Sequence, residues 1–500
     1  MSIIRLKSTD GVPFEFDDEA QAGSGGMKDV YFSKDRKQVV GWYRKKPDHN
    51  AMERIRNITG IYRQRIFEQE GGAYWESLFC WPSHIIEEQG IVGVVMPAYQ
   101  PHFFFEHGSK NGDFLDIKGR EKEGKWFASA NHQQKHLDPR ERGSWLSYLT
   151  ICIKISRAVR RLHMAGLAHS DLSYKNVLID PAGGNACIID IDTLVVPLKY
   201  PPDVVGTPDF IAPEVMRTLK LPIGDAAKFL PRIETDRHAL AVLVYMYLLY
   251  RHPLRGRKIH DSDSQRDEEF SMGEKALFVE HPTDATNRPD PDSVKPGFLP
   301  FADAAKVPYE ICGPYLTEIF NRAFIAGLHQ PSLRPTADDM ERALVKTVDL
   351  IQPCANPACD QKWFVFDETK PPRCPFCGRA GVGTVPVLNF HTSRGGGDFL
   401  PDNHRLMVYS NLYLYPWHVS RSVFPNERLT AHQKKPVGYF VFHGGRWLLV
   451  NQTLPGLADV TSGEAKPIPP GSQVVLENDQ KLLLSPEDGG RLVHIRIANA

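Results

Sequence analysis

The chain has 500 residues, 42% of them hydrophobic and 24% charged, a composition that suits a globular protein of about three domains. Lysine plus arginine balances aspartate plus glutamate at 60 each, so no overall field draws the chain to nucleic acid or a membrane, and neither is expected as a partner. Eight cysteines in so long a chain do not make a disulfide framework.

The first residues, MSIIRLKSTDGVPFEF, lack an apolar run followed by a small-residue cleavage site. The longest apolar stretch, HALAVLVYMYLLY at 238–250, is too short to span a bilayer and reads as a core helix, so a cytoplasmic protein is expected. Residues 14–100 alternate in short runs, VYF, QVVGWY and GIVGVVMP, the pattern of half-buried strands, around a helical stretch from about Asn50 to Phe67. A polar segment at 105–142 is expected to be mobile. From Trp145 the apolar spacing turns helical and stays so to about Ile351, interrupted by a second polar segment at 257–298. Four cysteines fall between 354 and 377, and after SRGGGD at 393–398 the remainder reads as short strands of a small β-sandwich or barrel.

The stretch LAHSDLSYKNVLID at 167–180 puts a carboxylate and an amide on one short loop, where phosphoryl transfer needs a base and a metal ligand. IIDID then offers Asp190 after an apolar strand, GTPDFIAPE ends at Glu214, and RPTADDM begins at Arg334. In this order the set resembles the eukaryotic-like, bacterial-style protein serine/threonine kinases, over about 14–350. The resemblance implies an α+β, bilobal fold with an N-lobe at about 14–100 and a C-lobe at about 143–350, and it implies ATP, magnesium and a protein substrate. Carried over by residue, Asp171 accepts or orients the substrate hydroxyl proton, and Asn176 and Asp190 hold magnesium as hard oxygen donors. Glu214 and Arg334 form a buried ion pair, and Asp236 bonds the catalytic-loop backbone. Met96 is the gatekeeper, with the Pro97 carbonyl and the Tyr99 N–H offered to adenine. Thr207 contacts Asp171, which favours Ser or Thr targets over Tyr.

The phosphate loop of such a fold corresponds to GSGGMKDVYF at 23–32, with Gly23, Ser24, Gly25, Gly26 and Val30 lining the nucleotide. Lys28 stands where its third glycine belongs. A hairpin turning at KDRK, 34–37, sets Val30 opposite Gly41, the position where these kinases carry their phosphate-binding lysine. Lysine on the loop and none on the strand resembles the with-no-lysine kinases, and implies that Lys28 reaches the phosphates over the space left at Gly41. Lys45 and Lys46 are the alternatives if the hairpin is longer; otherwise they are solvated charges at a strand end. Glu53 is the expected acidic partner of Lys28, with Glu68 as the alternative. Ser170 replaces the arginine that anchors a phosphorylated activation loop, so activation of that kind is not expected. Ser173 replaces a lysine whose role at the γ-phosphate falls to Lys175. Asp192 replaces the glycine of Asp-Phe-Gly, as a carboxylate behind the metal ligands or as a turn residue.

CANPACDQKWFVFDETKPPRCPFCG has the spacing C-x4-C-x14-C-x2-C, and Cys354, Cys359, Cys374 and Cys377 are the expected ligands of a structural zinc in a ribbon over 352–380. The segment 400–500 resembles a degenerate forkhead-associated sandwich, a β-rich interaction domain with Arg421, Ser422 and Asn451 as its phosphothreonine-binding candidates. The kinase portion with its appended ribbon is similar to kinases grouped, in tellurite-resistance-linked sets, with a von Willebrand-type domain protein and a metal-dependent phosphatase, which implies both as partners. The competing reading is a pseudokinase scaffold that binds nucleotide without turnover; Gly41 and Asp192 speak for it, and Asp171, Asn176 and Asp190 against it.

Overall fold

The computed structural model describes residues 3–24, 27–68, 71–196, 199, 206–222, 224–366, 372–395 and 397–499. They form two compact units, one from 1–143, 147–309 and 318–341, the other from 144–146, 310–317 and 342–500.

In the first unit an antiparallel sheet contains β1 (Ile3–Lys7), β2 (Pro13–Ser24), β3 (Lys28–Ser33), β4 (Gln38–Tyr43), β5 (His84–Glu88) and β6 (Ile91–Pro97), in the order β1-β2-β3-β4-β6-β5. Strands β2 and β3 pair Gly23 with Val30 and Ser24 with Asp29. The β3–β4 hairpin pairs Val30 with Gly41, the register that its turn residues imply, and also pairs Lys28 with Tyr43. Helix α1 (His49–Asn57) starts at Asp48, whose carboxylate accepts the Ala51 N–H, and helical backbone runs on to Phe67 past non-helical angles at Gly60.

Helix α2 (Trp145–Met164) leads into the loop that carries Asp171, and the hairpin of β7 (Val177–Asp180) and β8 (Asn185–Ile188) follows. The apolar stretch read as a core helix lies in α3 (Ile233–Leu249), buried from His238 to Leu249. Among the described residues no helix is long and apolar enough to cross a membrane.

The polar segment at 105–142, expected to be mobile, is instead a folded part of the unit. Phe105, Ile117, Phe127 and Leu137 are buried. Its charges are used internally: the Asp113 carboxylate accepts the N–H groups of Ser109, Ile117 and Lys118, and Glu141 accepts those of His107 and Gly108. The buried Lys122 ammonium sits 2.8 Å from Glu141 and 3.3 Å from Asp180 on β7. Composition alone reads these groups as solvated: the Asp113 bonds are turn contacts that composition does not show, and the partners of Glu141 and Lys122 lie farther off in sequence. The second polar segment is folded too, with helix α4 (Ser264–Met272) capped by Asp263 and a buried Asn287 whose amide donates to the Leu254 and Leu277 carbonyls.

In the second unit, strand Ile351–Pro353 pairs with Trp363–Val365 inside the cysteine segment. Beyond it, a six-stranded antiparallel sheet built around Thr384–Ser393 and Arg491–Asn499 and a four-stranded sheet built around Gly438–His443 and Arg446–Asn451 share one apolar core, which includes Phe390, Phe440, Leu449, Leu482 and Val493. Asp349 is buried between the Nε2 atoms of His404 and His418, and Arg491 joins His404 to Asp402.

Replacing Lys122 with Met should leave two buried carboxylates without their cation and cost about 3–5 kcal/mol of unfolding free energy. Urea unfolding of the full chain measures this. A change below about 1 kcal/mol, typical of an exposed pair, would show that the 105–142 segment is not part of the cooperative fold.

Candidate active site

The catalytic loop hangs from the core helix. Asp236, buried on α3, accepts the backbone N–H groups of His169 (2.6 Å) and Ser170 (3.0 Å). Ser170 has φ +68°, a left-handed backbone uncommon for serine, and the paired N–H bonds to Asp236 hold it there. Asp171 is thereby presented with both oxygens oriented. One accepts the Thr207 N–H (2.7 Å) and hydroxyl (2.9 Å), and the other accepts the Asn176 amide (2.9 Å). The same Asn176 nitrogen donates to the Asp171 carbonyl, so both bonds to Asp171 are made by the amide nitrogen and none by its oxygen. An open depression of about 270 Å³ lies beside Asp171, bordered by Ser170, Gly206, Thr207, Phe210 and Pro231.

Asp190 follows β8 with φ +62°, and its side chain is 45% exposed. Burial is the main cause raising its pKa, opposed by Lys28 and reinforced by Asp192. The segment that completes the loop is fixed by a buried bidentate pair: Arg334 donates to the two Glu214 oxygens at 2.8 and 2.7 Å and to the Gly327, Leu328 and Glu234 carbonyls.

Lys28 opens β3 and folds inward beneath the sheet. Its Cδ would lie 3.3 Å from a Cβ placed on Gly41, so the glycine is what lets the stem pass. The ammonium is 2.7 Å from each Asp192 oxygen and 3.6 Å from an Asp190 oxygen. Tyr43, directly across the hairpin, donates its hydroxyl to Asp192, and its ring lies under the ammonium at 5.4 Å from centre to nitrogen. Burial opposes the Lys28 charge, but Asp192 and then Asp190 outweigh it, and the pKa is raised. Burial likewise opposes the Asp192 charge; Lys28 and Tyr43 outweigh it, and the carboxylate is held below its usual range.

The expected acidic partner of Lys28 is therefore corrected. Glu53 is half exposed, with an oxygen 3.7 Å from Lys199, and Glu68 is exposed, while Asp192 holds the ammonium. A lysine rising from the loop comes to rest beside the residues that follow Asp190, and Asp192 is the acid within its reach. The turn-residue reading of Asp192 is set aside for the same reason, since the side chain is buried and fully engaged. The signal in the sequence was an acid where a glycine is usual, two residues after the expected metal ligand Asp190.

Lys45 and Lys46 are exposed beyond the end of β4, and Lys175 is exposed on the catalytic loop. Met96 packs against Gly41, its Cε 3.3 Å from the position of a Cβ there. The Pro97 carbonyl accepts from the Cys80 thiol at 3.5 Å, and Tyr99 packs against the buried cluster of Cys80 and Phe103. Gly23 pairs with Val30 and the Ser24 backbone with Asp29; Gly25 and Gly26 lie outside the described residues.

In the second unit the Sγ atoms of Cys354, Cys359, Cys374 and Cys377 lie within 4.8 Å of one another, with Cys354–Cys377 at 3.5 Å and Cys359–Cys374 at 3.9 Å. Zn–S bonds of about 2.3 Å in a tetrahedron separate sulfurs by about 3.8 Å, so the cluster has the dimensions of a four-thiolate site. Burial opposes the Cys377 thiolate, but the Arg379 N–H and neighbouring donors bring its pKa down to about 7. Asn451 does not serve a phosphothreonine: it is buried, its amide nitrogen donating to the Leu454 and Ile468 carbonyls and its oxygen accepting the Leu454 N–H. Arg421 and Ser422 are exposed.

Comparison with known families gives one match to this part of the chain: residues 127–337 match the protein kinase domain. A 73-residue stretch is 34% identical to a dual serine/threonine and tyrosine protein kinase of Apis mellifera, covering 15% of this chain and 7% of that protein. Another of 137 residues is 31% identical to the serine/threonine-protein kinase PknD of Chlamydia pneumoniae, covering 24% of this chain and 14% of that protein. The chain thus spans only a small part of the length of the curated relatives it matches. Among solved structures it is similar to a Toxoplasma gondii rhoptry antigen kinase domain, at 15% identity and a TM-score of 0.34 over 56% of this chain and 84% of that one.

Proposed function

We propose that the chain is an active, ATP-dependent protein serine/threonine kinase of the cytoplasm whose phosphate-binding cation is Lys28. The supporting observation is the inward course of Lys28 over Gly41 to a point 3.6 Å from Asp190, the acid that would hold magnesium with Asn176. A magnesium ion held by Asp190 and Asn176 would supply charge neutralisation to the triphosphate. Asp171 accepts the proton of a substrate serine or threonine hydroxyl as the hydroxyl oxygen bonds to the γ-phosphorus and the bond to the β-phosphate oxygen breaks, releasing ADP. Thr207 and Asn176 keep the Asp171 oxygens aimed during that transfer. Lys28 supplies fixed positive charge toward the phosphates, Gly23 to Gly26 and Val30 cover them, Met96, Pro97 and Tyr99 border adenine, and exposed Lys175 is left to approach the γ-phosphate.

The kinase portion is assigned to 14–350, a zinc ribbon to 352–380 and an interaction domain to 400–500. Four thiolates would close the zinc site and make it structural, since no coordination position is left for chemistry. The proposed partners are a protein substrate and, through the resemblance to the tellurite-resistance-linked sets, a von Willebrand-type protein and an opposing metal-dependent phosphatase. The pseudokinase scaffold is the second reading, favoured by the glycine at position 41 and by the engagement of Lys28 with Asp192.

Transfer of labelled phosphate from ATP with magnesium to a generic protein substrate should vanish in Asp190→Ala. It should fall on the order of 100-fold in kcat/KM in Lys28→Ala, the cost of one preorganised phosphate contact, and stay unchanged in Lys45→Ala. Loss in Lys45→Ala with full activity in Lys28→Ala would move the cation, and tight nucleotide binding without transfer would favour the scaffold. Elemental analysis should find about one zinc per chain, absent in Cys374→Ser; a metal-free protein with an unchanged melting temperature would contradict the structural zinc.

A further inference from the structure

We infer that Asp192 is the positioning residue for Lys28, taking the part that a glutamate of helix α1 was expected to play, so that the phosphate-binding ammonium is set without any acid delivered by that helix. The inference rests on the kinase reading above and concerns how its cation is held.

An ammonium has three N–H donors. Asp192 presents two oxygens at the same 2.7 Å, and Asp190 lies farther off at 3.6 Å on the other side. Two donors are thus satisfied by a buried carboxylate and the third is left facing the residue that would carry the metal and its phosphates. Asp192 is itself fixed from a second direction by the Tyr43 hydroxyl, on the strand residue paired with Lys28. The three groups arise from the third strand, the fourth strand and the turn after Asp190. None comes from α1, whose Glu53 faces Lys199 at 3.7 Å and is 45% exposed. An acid on a mobile helix can be withdrawn, and withdrawing it disables the lysine. An acid two residues from Asp190 in the same short turn moves only when the metal-binding segment itself moves.

Two features of the sequence fit together on this account. Aspartate replaces the glycine of Asp-Phe-Gly because a carboxylate is required at that point, and glycine stands at position 41 because the lysine stem must pass there to reach it. Tyr43 completes the set by donating to one of the two Asp192 oxygens that bond the ammonium, with its ring against the ammonium.

The test is a double-mutant cycle on the full chain, with steady-state kinetics and binding of a fluorescent ATP analogue as separate readouts, and circular dichroism as the check on folding. Asp192→Asn should reduce kcat/KM for ATP about 100-fold, the scale of a misplaced catalytic group, and weaken nucleotide binding, with KM for the protein substrate unchanged. Asp192→Glu should recover part of the loss. In a Lys28→Met background, Asp192→Asn should cost nothing further, because both act through one ammonium; this pair also avoids a buried, uncompensated charge if Asp192→Asn alone folds poorly. Glu53→Gln should match the wild type. Wild-type kinetics in Asp192→Asn, full additivity in the double variant, or a comparable loss in Glu53→Gln would each overturn the inference. If the wild-type chain binds nucleotide but transfers no phosphate, the kinase reading fails on its own, and the binding cycle decides the positioning: weakening by Asp192→Asn that depends on Lys28 supports it, and equal affinities overturn it.

Discussion

A lysine ammonium removed from water must be given anionic partners close at hand, since desolvation of a charge costs several kcal/mol. In this chain Asp192 provides them at 2.7 Å from both oxygens, with Tyr43 behind it and Asp190 in front. Other features of the N-terminal sheet follow from that requirement. A side chain at Gly41 would crowd the Lys28 stem, Lys28 begins its strand, and Tyr43 sits two residues beyond Gly41, so its side chain shares the same face.

The catalytic loop obeys a similar rule with backbone donors in place of cations. Asp236 spends a buried carboxylate on two N–H groups, and that contact sustains the left-handed turn at Ser170 which aims Asp171. Thr207 and Asn176 then divide the Asp171 oxygens between them. Arg334 locks the following segment through both Glu214 oxygens and three carbonyls, so Asp171, Asp236, Glu214 and Arg334 all hold their orientation through paired polar contacts.

Much of this was legible in the sequence where the signal is local. Turn residues at 34–37 fix the hairpin register, and with it the pairing of Val30 with Gly41. The apolar run in α3 reads directly as a buried helix, and the cysteine spacing as a cluster of four thiols. What could not be read are contacts between residues far apart in sequence. Lys28 and Asp192 are 164 residues apart, so a local reading offers the nearer Glu53. The polar segment at 105–142 reads as solvated until Lys122 is found against Asp180, 58 residues on. Asn451 looks like a loop amide available to a ligand, and only the fold shows its donor and acceptor used up by Leu454 and Ile468.

The central claim is that a cation from the glycine loop, held by Asp192, meets the nucleotide. A crystal structure of the full chain with magnesium and a non-hydrolysable ATP analogue tests it directly. The account predicts the Lys28 nitrogen at about 3 Å from a phosphate oxygen while still bonded to Asp192. A structure in which that nitrogen turns to solvent, with no other cationic side chain at the triphosphate, would contradict it.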